Sequence, residues 1–155
     1  MSMVRAIAVV IPDPRDGALL LAVRRPDDDA ELPGIWGLPA TTVRPNESDA
    51  DAAARLGAAK LGSTLTLGVM LGEGTQARAG HELSMTLYAT TLGVPEPSLP
   101  VNAGGDGSTY YDGWRWAPVS ALSDGAKRGS LCCSLALQAY GAGAQSGRAP
   151  SGRGR

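Results

Sequence analysis

Residues 32–39 read LPGIWGLP, and residues 40–62 continue ATTVRPNESDADAAARLGAAKLG. The first eight are dense in proline and glycine around one large ring, Trp36, which predicts a succession of turns. The character changes at Ser48. A serine with an acidic residue three places on, Asp51, has the spacing of a capping box, with Asp in place of the usual Glu or Gln. A helix is therefore expected over residues 49–61, running through an alanine-rich stretch to Gly62. Glycine is the residue type that most readily takes the left-handed conformation just past a helix end. Gly57 inside that helix costs up to about 1 kcal/mol relative to alanine, so something besides propensity must favour it there.

Outward from this helix the pattern turns to strands. Residues 4–11 are apolar and β-branched up to Pro12. Residues 18–24 are leucine-rich and close on Arg24-Arg25, and Asp16-Gly17 between the two runs is a hairpin signal. Downstream, residues 64–71 and 83–92 read as strands, joined over 72–81 by a glycine-rich, mobile hairpin connection. Residues 95–107 show no periodicity. Residues 110–117 form a short strand with rings at Tyr110, Tyr111, Trp114 and Trp116. A helical turn over 120–126 and a helix over 130–140 follow, the latter with Leu131, Leu135 and Leu137 as its apolar positions. Strands interleaved with helices in this order predict a mixed sheet covered on both faces, an α/β/α sandwich. One domain over residues 1–140 is expected, with a Gly- and Arg-rich tail over 141–155 expected to be disordered.

Composition narrows the function classes. A chain of 155 residues suits one domain, and 43% hydrophobic with 19% charged residues excludes a chain kept unfolded by its charge. Fourteen Lys and Arg against 15 Asp and Glu leave a net charge of -1, which argues against a nucleic-acid partner. No apolar run approaches the ~20 residues that cross a bilayer, and the N-terminal residues lack the shape of a secretion signal. A cytoplasmic protein with no membrane partner is the expectation. The two cysteines, Cys132 and Cys133, are adjacent. On a helix they point about 100° apart, so a bond between them would be strained, and two reduced thiols, one or both of them buried, are expected. With a single histidine they make a poor zinc ligand set.

The stretch over residues 19–62 resembles the Nudix superfamily. A strand LLLAVRR, a polar loop and then PGIWGLP at residues 33–39 look like the segment that leads into the Nudix box. That box runs G-x5-E-x7-R-E-U-x-E-E-x-G-U, with U aliphatic. The spacing fits without gaps: Thr41 stands at the first glycine, Glu47 at the first glutamate, Arg55 at the arginine and Gly62 at the last glycine. YDGWRWAPVSAL at residues 111–122 resembles the family's closing strand and the helix start after it. The resemblance implies the family's α/β/α fold and hydrolysis of a diphosphate linkage in a nucleoside diphosphate derivative.

The departures bear on that chemistry. The family's three helical glutamates fall at Leu56, Ala59 and Lys60, positions i, i+3 and i+4, expected to share a helix face. In the family that face presents carboxylates to divalent cations, usually magnesium, which require oxygen ligands. Leucine and alanine offer none, and lysine brings a positive charge, so the formal charge over the three positions moves from -3 to +1. No resident metal and no cofactor are expected. Glu47 and Arg55 resemble the family's structural tie between loop and helix. Ala40 and Thr41, where the family has glycine, would cost stability if those positions needed positive φ.

The candidate residues follow. Lys60 is either a fixed cation for a ligand phosphate or a solvated helix lysine. His81, the sole histidine, and Asp112 are candidate catalytic groups beside Lys60, and Asp106 is a further loop carboxylate. Arg24 and Arg25 end a strand near the expected cleft; Arg24 and Arg55 are candidate phosphate contacts. Trp36, Tyr110, Tyr111 and Trp114 are candidate stacking surfaces for a flat ligand. The expected partner is a small phosphorylated, nucleotide-like or flat aromatic molecule. Three readings stand side by side: a divergent enzyme with non-standard groups, a non-catalytic ligand-sensing or protein-docking module, and hydrolysis through carboxylates relocated to Glu47, Asp49 and Asp51. The sequence sets no oligomeric state.

Overall fold

The computed structural model describes residues 2–100 and 110–141. Its organising element is β1 (Ser2–Val10), whose second half is buried on both faces. Successive side chains on a strand point to opposite sides. Ile7, Val9 and Ile11 enter one apolar cluster with Ala52, Ala53 and Leu56 of the first helix, α1 (Asp49–Leu56). Ala6, Ala8 and Val10 enter a second cluster with Leu131 and Leu135 of the last α-helix, α3 (Leu131–Ala136). A helix therefore covers each face, as an unbroken apolar run over residues 6–11 requires.

Two sheets surround this axis. β5 (Ala40–Thr42), β1, β7 (His81–Leu92) and β6 (Leu65–Arg78) form the first in that spatial order. β1 runs parallel to β7, while the β1–β5 and β6–β7 pairs are antiparallel, so the sheet is mixed. In the second sheet β3 (Asp16–Arg24) pairs antiparallel with β2 (Pro12–Asp13), β4 (Trp36–Gly37) and β8 (Gly113–Ala117). A 3₁₀ turn (Val119–Leu122) leads into α2 (Ser123–Lys127).

The helix after Ser48 starts as its cap specifies: the Ser48 hydroxyl accepts from the Asp51 N–H at 3.0 Å. It does not run unbroken to residue 61. Past Leu56 it relaxes into a π turn, Gly57–Leu61, closed by Gly62 at φ 68°. Gly57 is required by packing: a Cβ there would lie 2.4 Å from the Ser63 carbonyl oxygen and 2.8 Å from Leu65 Cγ. The last helix likewise passes from α3 into a π turn, Leu137–Gly141.

Several expected boundaries move. The glycine-rich connection over 72–81 is not a loop, because β6 continues to Arg78 and only two residues separate it from β7. Glycine there serves close approach: a Cβ on Gly74 would lie 3.1 Å from Leu135 Cδ2, so α3 sits almost against the strand. β8 begins at Gly113, three residues later than expected, leaving Tyr110 and Tyr111 before the strand. The turn-rich segment holds two short strands, β4 and β5. Ala40 and Thr41 lie in β5, paired with β1 in extended backbone, so the missing family glycines leave no strain. Asp106 and the tail over 142–155 lie outside the described residues. Among the described residues no helix is long and apolar enough to cross a membrane.

Candidate functional site

A cavity of about 470 Å³ opens where β5, the ends of β3 and β6, the π turn after α1 and the start of α3 meet. That size lies within the range typical of small-molecule sites. Its apolar wall includes Ala6, Leu38, Leu83 and Met85, and its polar side chains include Arg25, Glu31, Lys60, Arg78, His81, Tyr111, Ser130 and Cys132.

Lys60 is the group that most sets the character of this cleft. It is only 8% exposed, and its Nζ donates to the Ala40 carbonyl at 3.3 Å while lying 5.4 Å from the centre of the Tyr111 ring. The Tyr111 hydroxyl accepts from the Ala40 N–H at 3.0 Å. Burial pushes the Tyr111 phenol up to about 12, so it stays a neutral donor at physiological pH. At the mouth, Arg25 pairs with Asp29 at 3.1 Å, and Glu31 stands between Arg25, 3.8 Å away, and Arg78, 3.3 Å away. Three cationic side chains thus line the cavity against one carboxylate, Glu31, which is largely exposed. Such a lining favours anions.

Glu47 and Arg55 form a two-pronged pair beside it. Arg55 Nε donates to Glu47 Oε2 at 3.0 Å and Nη2 to Oε1 at 2.9 Å. Nη1 reaches Thr41 Oγ1 at 3.2 Å, and Nη2 also donates to the Thr42 carbonyl at 2.7 Å. One guanidinium therefore joins α1, β5 and the loop between them. The hydrogen bond from Arg55, then that from the Arg44 N–H, holds the Glu47 carboxyl at about 2.

The other sequence candidates separate. Lys60 and His81 line the cavity, whereas Asp112 does not; it accepts from Arg24 Nη1 at 2.7 and 3.0 Å. Arg24 also pairs with Asp27, so its guanidinium is engaged away from the cavity wall, and its neighbour Arg25 points in instead. Adjacent strand residues face opposite sides, and the sequence does not say which side is the cleft. Trp36 lies against Arg115, 4.3 Å from ring centre to guanidinium carbon, and Trp114 packs edge-on against Trp116. Neither tryptophan lines the cavity, nor does Tyr110; the ring that does is Tyr111. Arg78 and Cys132 carried no sequence signal for this role.

The NUDIX domain family model matches residues 2–131. The chain belongs to the Nudix family. Among solved structures, a MutT protein from Methanosarcina mazei Go1 is similar at 17% identity and a TM-score of 0.67, over 88% of this chain and 92% of that one. The ORF135 protein of E. coli is similar at 21% identity and TM-score 0.62, over 90% and 93%. A NUDIX hydrolase from Nitrosomonas europaea is similar at 16% identity and TM-score 0.68, over 92% and 90%. No curated protein matches.

The Nudix metal does not fit the residues at the box positions. Leu56 is 1% exposed in the apolar cluster, Ala59 is exposed, and Lys60 turns into the cleft. Leu56 closes α1, and Ala59 and Lys60 follow it in the π turn. None offers an oxygen ligand. The relocated set fares no better. Glu47 is held by Arg55, and Asp49 pairs with Arg5 at 2.7 Å and accepts from the Tyr88 hydroxyl at 2.5 Å. Among the described residues no three of His, Cys, Asp and Glu gather where they could hold one ion.

Proposed function

We propose that this Nudix-family chain takes a small phosphorylated, nucleotide-like ligand into the 470 Å³ cleft. Lys60, in a cavity that Arg25 also lines, supplies the positive charge that a divalent cation supplies in the family, and diphosphate hydrolysis of the usual metal-dependent kind is lost or severely slowed. The observation that carries this reading is the buried ammonium of Lys60, seated on the Ala40 carbonyl at a position where the Nudix box has a metal-binding glutamate. An ammonium attracts a ligand phosphate directly. Metal ions contribute several kcal/mol of charge stabilisation in such reactions, and each 1.4 kcal/mol is about tenfold in rate. Glu47 and Arg55 serve in this proposal as the structural tie that fixes β5 and its carbonyls under Lys60.

Binding without turnover is the reading the geometry favours. The cleft carboxylate, Glu31, stands between two arginines, and Asp112 is engaged by Arg24 outside the cavity. The cleft also holds His81, which serves in this proposal as the candidate general base of a divergent enzyme.

Calorimetry tests the proposal with ADP and inorganic pyrophosphate as probes, each with EDTA and with Mg2+, and with product analysis alongside. Binding in EDTA is expected, together with a loss of about 10–100-fold in affinity in Lys60→Glu, the scale of charged hydrogen bonds. Saturable Mg2+ binding at the helix, with hydrolysis that depends on it, would refute the proposal.

A further inference from the structure

Glu31 is the cleft's one lining carboxylate, and it is held differently from the cations around it. It lies in the loop between β3 and β4, and it meets Arg78, at the end of β6, across the cavity mouth at 3.3 Å. The backbone beneath it is fixed. The buried carboxylate of Asp29 accepts from the Glu31 N–H at 3.2 Å and the Leu32 N–H at 2.8 Å, and the same carboxylate pairs with Arg25 at 3.1 Å. Arg25 therefore keeps a counterion of its own. Arg78 is fixed as well: its Nε donates to Gln76 Oε1, and Gln76 Nε2 donates to the Gly129 carbonyl at 3.1 Å, just before α3. The Glu31 side chain, by contrast, is 57% exposed and reaches Arg25 only at 3.8 Å.

From this arrangement we propose that Glu31 is an internal competitor for Arg78. Its carboxylate holds the place of a ligand's second anionic group and swings into solvent when that group arrives. The cleft then selects chains of linked phosphates, one phosphate toward Lys60 and another on Arg78, over a single phosphate. This inference rests on the phosphate reading of Lys60. A guanidinium recognises carboxylate and phosphate oxygens through the same fork of donors. An exposed ion pair holds weakly, because water screens it and ordering two long side chains costs entropy. A terminal phosphate brings about two negative charges and three acceptor oxygens, against one charge and two oxygens on a carboxylate. With Asp29 pinning the backbone, the exchange requires only a turn of one exposed side chain, and the loop stays in place.

Calorimetry of the full-length protein in EDTA tests this, with inorganic tripolyphosphate and orthophosphate as probes. Tripolyphosphate is expected to bind about threefold tighter in Glu31→Gln and about tenfold weaker in Arg78→Gln. In the Arg78→Gln background, Glu31→Gln should gain nothing, the signature of two groups acting through each other. Orthophosphate should respond little to any of these changes. Asp28→Asn removes the same charge from an exposed position on the same loop and should leave both probes unmoved. An equal gain in Asp28→Asn, a gain that persists without Arg78, or an Arg78→Gln variant that binds like the parent would each overturn the competitor. Lys60→Met, neutral and of similar length, separates the two ideas. Tripolyphosphate binding lost in Lys60→Met but unchanged in the Glu31 and Arg78 variants overturns the competitor and leaves the phosphate reading. Binding that follows Glu31 and Arg78 but ignores Lys60→Met supports the anion site at the mouth and removes the Lys60 reading.

Discussion

Arg55 distributes one guanidinium over four acceptors: both Glu47 oxygens, the Thr41 hydroxyl and the Thr42 carbonyl. A planar fork of donors can do this and an ammonium cannot, so Arg55→Lys is not a conservative change. Thr41, standing where the family has glycine, adds a hydroxyl to the set. The coupling has a pH signature. The Arg55 hydrogen bond and the Arg44 N–H lower the Glu47 carboxyl from 4.5 to about 2 in the folded chain. A depressed carboxyl contributes stability that is fully present above its unfolded value and is lost as pH falls through the folded one. Glu47→Gln should therefore melt below the parent at pH 7. The gap should narrow between pH 4.5 and about 2, and the two curves should meet at the acid end. Thermal unfolding followed by circular dichroism over that range checks this. A gap that stayed constant with pH would show that Glu47 contributes shape alone.

Gly57 illustrates how packing decides an element against its propensity. On an exposed helix, replacing glycine by alanine gains up to about 1 kcal/mol. Here the added methyl would meet the Ser63 carbonyl oxygen at 2.4 Å, a backbone atom that cannot swing away. Gly57→Ala should therefore destabilise, by about 1–3 kcal/mol on the scale of overpacked cores, and denaturant melts would register this as a lower midpoint with unchanged slope. A stabilised variant would mean that the π turn yields easily. The sequence marks Gly57 as anomalous without showing why, since its crowding partners are Ser63, in the turn after the helix, and Leu65, in the strand that follows. The same boundary separates legible from illegible elsewhere. The Ser48 cap, the Gly62 terminus and the two-faced burial of β1 follow from local chemistry and periodicity. The strand over 72–78 was hidden because glycine signals a turn, whereas at Gly74 it makes room for Leu135 across the sheet. Which of two neighbouring residues faces the cleft, Arg25 over Arg24 or Tyr111 over Tyr110, depends on how sheets and loops assemble, and no local pattern encodes it.

At the scale of the molecule, the cleft is the place where both apolar clusters end. Ala6, Leu38, Leu83 and Met85 come from the cluster under α3, while Val23 and Tyr111 come from the cluster under α1, and all six face the cavity. A ligand seated there touches both layers, so its binding is linked to global unfolding rather than to local order alone. A ligand that binds only the folded chain at about a hundred times its Kd adds ~2.7 kcal/mol. For a domain of this size that is a rise in Tm of about 5–10 °C. Pyrophosphate in EDTA should produce such a rise, and the rise should vanish in Lys60→Glu. Magnesium alone should leave Tm unmoved, because the box positions carry leucine, alanine and lysine in place of its carboxylates. Scanning fluorimetry across a concentration series of each probe reads both arms. A saturable upward shift with magnesium, abolished by EDTA, would place a cation in the fold and refute the charge replacement at Lys60.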